Sequence, residues 1–93
     1  MTVGICQLAL FLPESGSLKH KRSLLKSLTT RIRNKFNVSV SELDDHDLWQ
    51  KSLLGVAVIA NESRYANQVL SKVVNLVEAE DRLALIDYSV ELL

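Results

Sequence analysis

Seven of the eleven Lys and Arg residues fall between positions 19 and 35: Lys19, Lys21, Arg22, Lys26, Arg31, Arg33 and Lys35, with no acid among them. Unaided by a cofactor, such side chains bind anions, and in a row they bind polyanions. The run follows Gly16-Ser17, and free amides at the start of a helix also favour a negative partner. Lys19, Lys21 and Arg22 in a first turn oppose the helix dipole, at about 0.3 kcal/mol or more each. Selection for stability alone would place acids there. The seven form the candidate phosphate-binding set. Total charge is zero, so the rest of the chain holds four cations against eleven acids, a net of −7. The bland alternatives are a solvated face, or a face that pairs with acids such as Glu78, Glu80 and Asp81 of a second copy.

Other residues carry less. Asp44, Asp45, His46 and Asp47 offer oxygen and imidazole ligands, but without a second, separated set they read as a solvated turn, and no metal is expected. His20 lies on the polar side of its helix. Trp49 is the single tryptophan; it either closes the edge of a core or acts as a binding hot spot, and the first reading is the simpler. Cys6 sits in an apolar run and reads as a small hydrophobe. Tyr65 reads as a first-turn packing residue and Tyr88 as a core strand residue. No triad, phosphate loop, dinucleotide fingerprint or zinc spacing is present. No cofactor is expected, and an enzyme is the weakest of the readings.

The elements that position the cations follow from periodicity. Residues 2–12 are apolar on both faces and read as a central strand. Ser17 is placed to cap a helix over 18–35. At 100° per residue, Leu18, Leu25, Leu28, Ile32 and Phe36 fall within about 80° of one another; Lys19, Arg22, Lys26 and Arg33 form a second arc about 60° wide. His20, Arg31 and Lys35 take the far flank. Residues 37–42 alternate as a half-buried strand, and 52–60 form a second central strand. Asn61 is a candidate cap for a helix carrying Ala66, Val69, Leu70, Val73, Val74 and Val77 on one face. Residues 82–92 form a last strand.

The order is β-α-β-β-α-β. It predicts one α+β, ferredoxin-like domain over residues 1–93: a four-stranded antiparallel sheet with two helices on one face. Right-handed crossovers give strand order 4-1-3-2. The uncovered face of the central strands, drawn from Leu8, Leu10, Ala57 and Ile59, is then a candidate interface for a homodimer. RNA-recognition motifs share this order but display aromatics on strands one and three. Strand three has none and strand one only Phe11, so the helix would grip a backbone rather than the sheet stacking bases.

Ser17-Leu18-Lys19-His20-Lys21-Arg22-Ser23-Leu24-Leu25-Lys26, then Arg31 through Val40 (RIRNKFNVSV), and Asp47-Leu48-Trp49-Gln50 resemble the signature of the YlxP-like proteins, small bacterial proteins of unknown function. The resemblance spans essentially the whole chain. It implies a ferredoxin-like fold. It also implies a gene neighbourhood shared with translation initiation factor two and ribosome-binding factor A, hence a link to ribosome assembly or RNA. His20 stands where that pattern has an acid. The resemblance brings no catalytic residues with it.

The expected function is a non-enzymatic binding protein whose partner is RNA or a ribosomal subunit, with a homodimeric interaction module as the alternative. The longest apolar runs are far short of the ~20 residues that cross a bilayer, so no membrane is expected. A lone cysteine and no leader predict a cytoplasmic location.

Overall fold

The computed structural model describes all 93 residues. Strand β1 (Thr2–Phe11) leads to helix α1 (Leu18–Lys35), strands β2 (Ser39–Asp44) and β3 (Lys51–Ala60), helix α2 (Ser63–Glu78) and strand β4 (Ala84–Leu92). The sheet is antiparallel with order β2-β3-β1-β4, which is the expected 4-1-3-2. The two doubly apolar strands stand in the middle because each helical connection must step over one neighbour. The fold is ferredoxin-like.

One face of the sheet is covered. Cys6, Leu8 and Leu10 of β1, with Leu54, Val56 and Val58 of β3, point at the helices and are buried. Leu28 and Ile32 of α1, and Leu70, Val73 and Val77 of α2, close the core from the other side. Each such side chain contributes about 1.5–3 kcal/mol by leaving water. Gly4 lets α2 come close: a Cβ there would stand 2.9 Å from Leu70 and 3.0 Å from Val58.

Leu8 and Leu10 are therefore corrected: they belong to the core, not to an interface. Residues paired across an antiparallel ladder share a face. Leu8 pairs with Leu54, whereas Ala57 pairs with Ile5, so Leu8 and Ala57 lie on opposite sides. The uncovered face holds Val3, Ile5, Leu53, Ala57 and Ile59, the last of them 71% exposed. Leu43 packs over Gly55 on this side, where an added Cβ would meet it at 2.7 Å.

Three further expectations change. Tyr88 is 50% exposed: it pairs with Leu8 and so shares the helix side of the sheet, but on an edge strand that the helices do not fully reach. Tyr65 is likewise exposed. Asn61 is not the cap of α2; the cap position is Glu62, with no side-chain hydrogen bond. Instead the Ser63 hydroxyl lies 3.1 Å from that of Thr2, tying the start of α2 to β1.

Candidate nucleic-acid interface

Helix α1 begins as its sequence dictates. Ser17 is extended, and its hydroxyl accepts the His20 amide at 3.0 Å. No acid stands in the first turn. From there the helical period sends the seven cations in three directions.

The first is outward. Lys19, Arg22, Lys26 and Arg33 are exposed along one ridge. None has a carboxylate within ion-pair distance; the ion pairs of the structure are Lys21–Glu42, Arg31–Glu80 and Arg82–Glu80. Arg33 donates one hydrogen bond to the Val40 carbonyl at 2.7 Å, which steadies the guanidinium against edge strand β2 without neutralising it. Lys19 and Arg33 lie fourteen residues apart, so the ridge runs about 21 Å.

The second direction is inward. Lys21 is 1% exposed. Its ammonium meets Glu42 Oε2 at 3.0 Å and donates to the Asp45 carbonyl. The same Glu42 oxygen accepts the Ser52 hydroxyl at 2.7 Å. Asp45 adopts φ 65°, a left-handed conformation that aspartate tolerates better than most residues. Its amide is held by the Asp44 side chain at 2.8 Å. Lys21 is thus corrected out of the phosphate-binding set and acts as a latch between α1 and the end of β2. The helical period carried the signal: at 100° per residue Lys21 falls inside the arc of Leu25, Leu28 and Ile32.

The third direction is sideways, toward α2. Arg31 and Lys35 point into the groove between the helices. Arg31 donates to Glu80 Oε2 at 2.6 Å, so its charge is compensated. Glu80, offered above as an acid for a second copy, is 8% exposed and engaged within its own chain. Arg82 reaches it through Nε at 2.8 Å and Nη2 at 3.1 Å, and its backbone amide at 3.2 Å. Arg82 also touches Ser27 of α1 at 3.2 Å. The Arg82 hydrogen bonds hold the Glu80 carboxyl down to about 2 from its ordinary 4.5; burial opposes them, and the charges of Arg82 and Arg31 assist.

This pairing makes stability depend on acid. The folded carboxyl binds its proton at lower pH than the unfolded one, so the stabilisation is complete above about pH 4.5 and lost as pH falls toward 2. Glu80→Gln should cost about 1–2 kcal/mol at pH 7, Arg82 being half exposed, and should flatten the loss of stability between those two values. Urea midpoints at pH 7 and pH 3 read it; an equal acid loss in wild type and variant would contradict the assignment.

Trp49 does not close a core edge: it is 54% exposed, beside exposed Leu48. With Ser15, Gly16, Gln50 and Lys51 it lines a shallow cavity of about 550 Å³ just before the start of α1. That placement rests on Leu12 donating to the Gln50 carbonyl at 2.8 Å and the Gln50 side chain donating to that of Pro13 at 3.0 Å. No signal in the sequence joins residues 15–16 to Trp49. Burial pushes the Cys6 thiol up to about 11, so it is no nucleophile near neutrality. No helix is long and apolar enough to cross a membrane.

Comparison with known proteins agrees with this architecture in extent. A family model described as "Protein of unknown function (DUF503)" matches residues 3–90. The chain is also 34% identical over 77 residues to the "Uncharacterized protein YlxP" of Bacillus subtilis (strain 168), an alignment covering 83% of this chain and 84% of that one.

Proposed function

The chain belongs to the DUF503 family, and we propose that it is a non-enzymatic RNA-binding protein, associated with a ribosomal subunit and acting in the cytoplasm. The observation that supports this reading is the ridge of Lys19, Arg22, Lys26 and Arg33, exposed and without carboxylate partners. Four uncompensated charges on a rigid rod repel one another; the phosphates of a polyanion relieve that repulsion, and the counterions released on binding favour the complex. Such contacts track a phosphate backbone and read no base sequence. Trp49, exposed near the N-terminal end of the ridge, supplies a ring on which an unpaired base can stack, which favours single-stranded RNA. The test is RNA binding by wild-type and ridge-reversed chains across salt concentrations: reversal should abolish both the binding and its dependence on salt. The buried thiol of Cys6, with no partner for a disulfide, is in keeping with a reducing compartment.

A second reading is supported by the uncovered sheet face. Ile59 is 71% exposed there, beside half-buried Ile5 and Ala57. An exposed apolar patch of this kind is a surface that can pack against its own copy about a two-fold axis. Sedimentation equilibrium should then show a dimer in wild type and a monomer in Ile59→Asp. A wild-type monomer at high micromolar concentration removes this reading. The two are compatible, since the ridge and the uncovered face belong to different sides of the molecule.

A further inference from the structure

The groove between α1 and α2 is open to solvent and holds about 700 Å³, a volume within the range that small-molecule sites occupy. Arg31 and Lys35 enter it from α1, Lys72 and Asn75 from α2, and Phe36 and Leu76 line it with apolar surface. Glu80 engages Arg31. Lys35 and Lys72 have no carboxylate within ion-pair distance, so two uncompensated lysines line one groove. An adjoining hollow of about 140 Å³ shares Lys35 and Phe36 and adds Tyr65. The chemistry is therefore divided. Its two parts are the ammonium and amide groups of Lys35, Lys72 and Asn75, and the apolar and aromatic surface of Phe36, Leu76 and Tyr65.

A simple inorganic anion satisfies only the first part, and an apolar molecule only the second. A ligand that joins a phosphate to a planar, weakly polar body satisfies both, because aromatic side chains stack on such bodies while ammonium groups take the phosphate. We infer that the α1–α2 groove is a mononucleotide-binding site, with Lys35 and Lys72 on the phosphates and Phe36 and Tyr65 against the base. It does not rest on the ridge. At 100° per residue Arg31 and Lys35 emerge from the opposite flank of α1 to Lys19, Arg22, Lys26 and Arg33, so a ligand in the groove leaves the ridge free.

The experiment is titration of the purified chain with AMP, ADP, ATP and inorganic triphosphate, followed by amide chemical shifts. Wild type should bind ATP with shifts centred on residues 31–36 and 72–76, and more tightly than triphosphate. Lys35→Glu with Lys72→Glu should weaken it by about tenfold or more, the scale of losing charge-assisted contacts. Both positions are exposed, so the fold should survive; thermal unfolding checks this. Phe36→Leu, which keeps an apolar side chain there, should remove the preference for ATP over triphosphate. Arg22→Glu with Lys26→Glu should leave ATP affinity within about twofold, because those residues lie outside the groove. The inference is overturned if no mononucleotide binds at millimolar concentration. It is equally overturned if the Lys35 and Lys72 variants bind ATP unchanged, if triphosphate binds as tightly as ATP, or if only an RNA oligonucleotide shifts these amides.

Discussion

A chain carrying Lys19→Glu, Arg22→Glu, Lys26→Glu and Arg33→Glu should bind single-stranded RNA about a thousandfold more weakly than wild type. Four phosphate contacts at about 1 kcal/mol each amount to nearly three decades of affinity, and reversal adds repulsion to the loss. Wild-type binding should fall with salt at a log–log slope of about −3, the value for four phosphates on a single strand. The reversed chain should show no measurable slope. Its fold should hold. Glutamate at position 19 suits the helix dipole where lysine opposes it, and only Arg33 among the four makes a hydrogen bond that the change removes. Fluorescence anisotropy with a labelled RNA, at about 50 and 200 mM salt, reads both quantities. RNA affinity that survives the reversal, or a slope near zero in wild type, would leave the ridge with no polyanion to bind.

The second large effect is on stability. Glu42→Ala should cost about 3–5 kcal/mol, because it leaves the Lys21 ammonium buried with only the Asp45 carbonyl beside it. For a domain of this size that is a fall in Tm of roughly 12 °C or more. Lys21→Met should cost less. The methionine fits an apolar position of the helix, and Glu42, one-fifth exposed, keeps the Ser52 hydroxyl and some water. The double variant should be more stable than Glu42→Ala alone, since removing both charges removes the stranded one. Urea unfolding of the four chains closes the cycle. Equal and additive costs would mean that the two side chains do not depend on each other. The RNA affinity of Lys21→Met should stay near that of wild type, which separates the latch from the ridge.

The two effects divide one run of cations that looks uniform as a string. The angular positions of Lys19, Arg22, Lys26 and Arg33 put them on one arc, whereas Lys21, read by its charge as one of the same set, has the angular position of the leucines. A lysine on an apolar stripe is expected to find a partner, but nothing local shows that the partner is Glu42 on a different element. Lys72 offered no signal either, because its role depends on how α2 lies beside α1. In the sequence Glu80 is only one of three neighbouring acids, with Glu78 and Asp81, that a cationic face could meet. The structure shows its carboxylate accepting from Arg31 and Arg82 of its own chain.

By itself the amino-acid sequence determined the order of elements, the spans of α1 and the central strands, and the strand order, since two doubly apolar strands must lie inside a sheet and crossovers have one hand. It left open which side of β1 meets the helices. Leu8 and Ile5 are equally apolar, and alternation states a period without a phase. Packing resolved this: α2 seats on Gly4, and every even-numbered residue of β1 follows it inward. Tertiary structure alone also decided the fate of each cation. Compensation of a charge depends on which carboxylate lies within a few ångströms, and that distance is set by the packing of elements remote in the chain.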